Sequence, residues 1–336
     1  MPVVSRPEDF HEDELFVDAE PIVGRPIHLK VEGANLAGSI KLKAAASMID
    51  AAQAEGRLPA GTTLVESSSG NLGVALATIA AHRGLSFLCV TDDRCNPVTL
   101  RLMRALGAQV HVVTRPDPEQ GYLGARLRVV RELAGRPGHL WLNQYANEAN
   151  WGAHYRRTAP AVLRNFPHLD VLFVGAGTTG TLMGCARYVR ETTGGRTRVV
   201  GVDSVGSVTF GTPAGPRHVP GLGAGVPPAM FDPDLVDDFV LVPEIRGIQV
   251  CRELAAGGYL FGGSTGTVLA GALDWLATHD PARKLSAVTI APDLGERYLD
   301  SVYDDDWVRQ HFGLDALNVP PPTAEEEPDA QLPRSA

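Results

Sequence analysis

Short apolar runs alternate with longer stretches of helical periodicity along most of the chain. The runs LSFLCVT at 85–91, AQVHVV at 108–113, DVLFVGA at 170–176, RVVGVDS at 198–204 and LSAVTIAP at 285–292 read as buried strands. Between them, residues 73–83, 98–106, 124–133 and 181–190 carry apolar side chains at helical spacing. This alternation predicts an α/β chain with mostly parallel sheets, each covered by helices on both faces. Two such three-layer αβα domains, one on each side of residue 150, fit the 336 residues. No internal repeat is visible. Residues 1–20 read as an acidic arm, and the proline-rich, acidic run 318–336 as a disordered tail.

Composition narrows the function. The chain has no apolar run near the roughly 20 residues that span a bilayer, and acids stand where a signal peptide would need a basic region. A net charge of −9 suits neither nucleic acid nor anionic lipid. Cys89, Cys95, Cys185 and Cys251 are scattered, without a CxxC pair, so a disulfide framework or metal site is not expected. These features point to a soluble cytoplasmic protein that takes small molecules. Lysine is rare: Lys30, Lys41, Lys43 and Lys284 are the only four. Chemistry that needs an amine has few candidates.

Four glycine- and hydroxyl-rich loops stand at predicted helix starts or strand ends. The first, GANLAGSIKLK at 33–43, places Lys41 in a first helical turn, where the positive end of the helix disfavours an ammonium. An amine so placed suits Schiff-base chemistry, although an ordinary surface lysine reads the same way. The second, ESSSGNLG at 66–73, gathers hydroxyls, an amide and backbone N–H groups into a cradle for a carboxylate or phosphate, or into a plain helix cap. The third, GAGTTGTLMG at 175–184, matches GxGxxG, and Asp203 ends the next strand, as in a dinucleotide site. The same backbone can hold one phosphate monoester. The fourth, LFGGSTGT at 260–267, is by itself a turn before a small-residue helix.

Taken in order, these loops together with NQYANEAN at 143–150, VPGLGAG at 219–225 and PDLGERYLD at 292–300 resemble the β-family of pyridoxal-phosphate (PLP) enzymes. Tryptophan synthase β-subunits and cysteine synthases share that fold-type II architecture. The resemblance runs from Pro21 to Trp307. It implies a smaller N-terminal αβα domain over 35–150, a larger one from 21–34 plus 151–317, and a homodimer. GYLGAR at 121–126, His154 and Tyr155 after NQYANEANW, VDSVGSVTFG at 202–211 and ERYLDSVYDDDW draw the likeness toward a particular branch. Its members join O-phospho-L-serine to the amine of L-glutamate on the way to 2,3-diaminopropionate.

Carried over by position, the resemblance makes Lys41 the Schiff-base lysine and Asn71 the amide that bonds the cofactor's 3-hydroxyl. It makes Gly177, Thr178, Thr179, Gly180 and Thr181 the phosphate loop, and Ser264 the hydroxyl facing the pyridine nitrogen. Ser68, Ser69 and Gln144 would bind the substrate carboxylate, with Arg126 and Tyr145 lining the site. Two departures matter: Leu72 replaces the usual threonine of the carboxylate loop, and Gly177 stands where the glutamate-using relative carries serine. The implied reaction is β-replacement through an electrophilic aminoacrylate. A cysteine or cystathionine synthase with a sulfur nucleophile, an NAD-dependent oxidoreductase on the third loop, and a cofactor-binding regulator without turnover are the alternatives.

Overall fold

The computed structural model describes residues 3–118 and 120–313; the tail expected at 318–336 lies outside the described residues. Ten strands form two sheets. They are β1 (Phe16–Asp18), β2 (His28–Val31), β3 (Thr63–Ser67), β4 (Ser86–Asp92), β5 (Gln109–Val113), β6 (His139–Trp141), β7 (Val171–Gly175), β8 (Arg198–Ser204), β9 (Asp238–Val242) and β10 (Ala287–Ala291). The helices are α1 (Glu20–Val23), α2 (Lys41–Ala54), α3 (Asn71–Arg83), α4 (Pro97–Ala105), α5 (Gly121–Ala134), α6 (Glu148–Ala153), α7 (Ala159–Asn165), α8 (Gly180–Thr193), α9 (Glu244–Ala256), α10 (Gly263–His279) and α11 (Asp305–Phe312). A single π-turn, His154–Thr158, lies between α6 and α7. Among these helices none is long and apolar enough to cross a membrane.

Contacts divide the described residues into two units. One comprises residues up to Glu12 with Ala34–Ala153, the other Asp13–Gly33 with the residues from His154 onward. The first unit has a four-stranded, all-parallel sheet in the order β5-β4-β3-β6. Its core joins Met48 and Ile49 of α2 to Leu64 of β3, Leu76 and Ile79 of α3, Met103 of α4 and Leu142. These side chains come from a sheet and the helices packed on it, which is what strand–helix alternation requires. The N-terminal turn adds an ion pair, with Arg83 of α3 bound to Glu8 at 2.8 Å.

The second unit has a six-stranded sheet in the order β1-β2-β10-β7-β8-β9, parallel except for the edge pair β1–β2. Phe16–Asp18, within the acidic first twenty residues, forms that edge. The central strands VLFVG and AVTIA are almost wholly buried, so their sequences run apolar without alternation. Helix α10 is buried along most of its length because glycines let its neighbours in. A Cβ on Gly266 would lie 2.3 Å from the Gly247 carbonyl of α9, so the two helices approach backbone to backbone.

Candidate active site

In the first unit, the chemistry-bearing loops stand at the N-terminal ends of α2, α3 and α5. Lys41 is the first residue of α2; Ile40 offers no side-chain cap, and no acid occupies the first turn. Its position is distinct from those of the other lysines. Lys30 is fully buried and paired with Glu32 at 3.1 Å, Lys43 is buried in α2, and Lys284 is exposed. Asn71 opens α3, which also lacks a first-turn acid.

The serines before Asn71 divide their labour. Ser68 Oγ accepts from Gly73 N at 2.9 Å and from Gly70 N at 3.3 Å, and Ser68 N donates to Val90 O at 3.0 Å. Ser68 therefore shapes the loop from inside. Ser69 is partly exposed. Gln144 donates from Nε2 to Ser67 O at 2.9 Å. A primary amide has two such hydrogens, so one N–H remains.

Arg126 of α5 is not on the helix surface: it is 8 % exposed. Its Nε lies 3.2 Å from Asp92 Oδ2 but without hydrogen-bond geometry, and that buried nitrogen has no hydrogen-bond acceptor. Tyr145 is partly buried; burial raises its phenol above the usual range, and the positive charge of Arg126 opposes that rise. Glu66, which carried no role in the sequence reading, is the buried carboxyl group behind this arrangement. Burial pushes it up to about 7, against N–H donors that favour its charged form. The thiols of Cys89 and Cys95 are also raised by burial, and they donate to the carbonyls of Ser68 and Ser69 at 3.3 Å. They behave as packing groups.

In the second unit, the glycine-rich turn after β7 leads into α8. Thr179 has a φ of 65°, a left-handed conformation unusual for a β-branched residue. It gives α8 no side-chain cap, and no acid lies in the first turn. The leading amides of a helix have no intrahelical acceptor, so this turn offers N–H groups to an anion. His154, in the π-turn, contacts Thr181 Oγ1 through Nε2 at 3.3 Å and Thr158 Oγ1 through Nδ1 at 3.1 Å. A Cβ on Gly177 would lie 2.9 Å from the Gly221 carbonyl, so a side chain there has no room while Gly221 stays in place.

Gly221 has a φ of 113°, and a Cβ on it would fall 2.1 Å from Ser264 Oγ. Only glycine leaves that buried hydroxyl its space. The loop carrying Gly221 is fixed by two carboxylates. Glu244 accepts from Val219 N at 2.8 Å and from His218 N at 2.8 and 3.0 Å. Asp203 accepts from Ser204 N at 2.8 Å and from Ser207 Oγ at 2.6 Å. Asp203 is fully buried, so it is engaged in holding its own loop rather than presented to a ribose. Asp293 accepts from Tyr298 Oη and from Thr265 Oγ1 beside the same helix start.

A glycine-rich anion turn, a buried neutral hydroxyl with a glycine cleared for it, and a lysine at a helix start define an α/β enzyme of the PLP type. The residues fit that group: the turn suits a phosphate monoester, and the cleared hydroxyl suits a ring nitrogen. The chain belongs to the pyridoxal-phosphate dependent enzyme family, whose sequence profile matches residues 16–293. It is 43 % identical over 285 residues to the N-(2-amino-2-carboxyethyl)-L-glutamate synthase of Ralstonia nicotianae, covering 84 % of this chain and 83 % of that one. The enzyme of the same name from Cupriavidus metallidurans is 40 % identical over 286 residues, covering 84 % of each. Among solved structures, O-ureido-L-serine synthase matches with a TM-score of 0.82 and 32 % identity over 91 % of this chain and 99 % of its own. A hydrogen sulfide-producing enzyme of Fusobacterium nucleatum matches with a TM-score of 0.81 and 30 % identity over 89 % and 99 %.

Asp203 supplies a test of the loop anchorage. Burial raises it from 3.8 to about 6, so the folded state binds a proton more tightly than the unfolded one. Its contribution to stability is full below pH 4 and is lost as pH rises through 6. Asp203→Asn removes that titration. The stability difference between wild type and variant, from urea unfolding at several pH values, is expected to fall by roughly 2–3 kcal/mol between pH 4 and 6. A pH-independent difference would show that the hydrogen bonds from Ser204 and Ser207 fully offset the cost of burying the charge.

Proposed function

We propose that this protein is a PLP-dependent β-replacement enzyme that joins O-phospho-L-serine to the α-amine of L-glutamate. The products are N-(2-amino-2-carboxyethyl)-L-glutamate and phosphate, a step toward 2,3-diaminopropionate in natural-product biosynthesis. The two relatives at 43 % and 40 % identity support the reaction. The observation that carries the donor assignment is Arg126, a buried guanidinium whose Nε has no hydrogen-bond acceptor. Arginine pairs with phosphate through a planar, bidentate fork.

When bound, PLP supplies an electron sink for the bonds at the amino acid's α-carbon. The rest falls to side chains. Lys41 would hold the cofactor, and its amine would be the group that takes the α-proton. Asn71 would bond the ring hydroxyl, Gly177 to Thr181 would receive the phosphate, and Ser264 would offer a neutral hydroxyl to the pyridine nitrogen. Ser69 and Gln144 hold the substrate carboxylate, with Ser68 keeping their loop in shape. The donor's Cβ–O bond breaks with loss of phosphate, and a Cβ–N bond forms to glutamate. Glutamate's ammonium must lose a proton first; the departing phosphate is its acceptor, since Lys41 holds the α-proton, which it returns to Cα once the Cβ–N bond has formed. Tyr145 orients the acceptor, since burial makes its phenol a still poorer acid than usual. We also infer a cytoplasmic homodimer, on four buried cysteines, none of them in a disulfide, for the compartment and on the family resemblance for the dimer.

Three measurements test this reading. Borohydride reduction and peptide mapping should place the cofactor on Lys41, and Lys41→Ala should lack the visible absorption of the lysine-bound form; label on Lys30, Lys43 or Lys284 contradicts the assignment. Arg126→Ala should lower kcat/KM for phosphoserine about 100-fold and for O-acetylserine less than about fivefold. Equal losses would remove Arg126 from phosphate recognition. In a single vessel with phosphoserine and equal glutamate, aspartate, sulfide and homocysteine, mass spectrometry should find the glutamate adduct dominant. A large excess of cysteine would make the enzyme a sulfur-accepting synthase.

A further inference from the structure

Two stretches of the first unit assigned to the substrate carboxylate, the serine loop after β3 and the turn at Asn143–Gln144, share one buried carboxyl group. Glu66 is fully buried. Its Oε1 accepts from Ser67 N at 2.8 Å and from Trp141 Nε1 at 3.0 Å, and its Oε2 accepts from Gln144 N at 3.1 Å. Gln144 returns the link by donating from Nε2 to Ser67 O at 2.9 Å, while Asn150 Nδ2 holds the Gln144 carbonyl at 2.7 Å. The turn is conformationally costly, with Asn143 at a φ of 55°, so something must hold it.

A carboxylate in the core of a sheet is expensive unless it is fully bonded. Here three N–H donors from β3, β6 and the turn end on it. Only an ionised carboxylate accepts all three without presenting a hydrogen of its own; a glutamine would turn an NH2 group toward at least one donor. Cys89, Arg126 and Tyr145 are the neighbouring titratable groups that interact with this cluster, and Arg126 is the positive one. Of the three donors only Gln144 belongs to a residue assigned to the substrate, and it gives Glu66 its backbone N–H rather than its side-chain amide, so the carboxyl group acts through its neighbours.

We propose that Glu66 is a positioning residue for the substrate α-carboxylate: it holds the serine loop and the Gln144 turn in fixed register, so that Ser69 and Gln144 are presented as one site. The inference rests on the reading of those two residues as the carboxylate site. It does not depend on the identity of the acceptor.

The test uses the loaded enzyme and two ligands that differ by one group, O-phospho-L-serine and O-phosphoethanolamine, which lacks the α-carboxylate. Binding is read from the change in visible absorption on titration, with cofactor content measured separately. Glu66→Gln is expected to weaken phosphoserine binding about tenfold and phosphoethanolamine less than about twofold, at unchanged cofactor content. Trp141→Phe removes one donor and keeps the charge; it is expected to weaken phosphoserine alone by about threefold, and it carries the test if the first variant is insoluble. Equal weakening of both ligands, or of neither, overturns the proposal and leaves Glu66 a core residue. If wild type ignores phosphoserine, the donor assignment fails. The pair L-serine and ethanolamine then makes the same comparison.

Discussion

The exposed partial charge at helix N-termini is the constraint around which both units are organised. Most of a helix's leading amides have no partner inside the helix, and globular proteins usually meet that need with a short polar cap or an early acid. This chain does so where no chemistry is expected: Asn96 caps α4, and Asp304 caps α11, which has two more acids in its first turn. At α2, α8 and α10 neither device is used, and at α3 the residue before the helix gives no cap, Ser68 Oγ reaching in from the loop to Gly73 N alone. Those four helices begin with the lysine loop, the serine loop, the glycine-rich turn and the GGSTG turn. In the proposed function, the amides left uncapped serve the anionic groups of cofactor and substrate.

The surrounding carboxylates then have a common logic. Glu66, Asp203 and Glu244 are all buried and all raised by burial; backbone N–H groups are the main donors to Glu66 and Glu244, while Asp203 takes one backbone N–H and the Ser207 hydroxyl. Each pins a loop that contains glycine and little apolar surface, which hydrophobic packing alone could not fix. The acids absent from the helix starts are found one layer behind the loops, where they set geometry without competing for the ligand.

Much of this was legible in the sequence, and what was not has specific causes. Strands β4, β7, β8 and β10 announce themselves because buried parallel strands are continuous apolar runs; β5 is a strand as expected but not a buried one, since it lies at the sheet edge with Gln109 and His111 exposed. The strand β3 does not announce itself, since TLVES holds only two apolar residues between polar ends, and β6 has only three residues. Ser68 and Ser69 are identical as letters; the backbone turn decides that one faces inward to Gly73. Asp203 at a strand end looks the same whether it meets a ribose or a serine four residues on. Glu66 escaped because its partners Trp141 and Gln144 lie 75 and 78 positions away, a relation that no local pattern encodes.

The scarcity of lysine has a chemical consequence of its own. Pyridoxal phosphate is a free aldehyde before it is bound, and it condenses with any accessible amine. A surface whose cations are almost all guanidinium groups gives it little to react with, because guanidinium does not form stable imines under such conditions. Among the described residues Lys284 is the exposed exception, so stray adducts have few places to form. Loading the apoprotein with excess cofactor should thus titrate close to one equivalent per chain. Amine-directed immobilisation through Lys284 would leave Lys41, the lysine proposed to hold the cofactor, untouched.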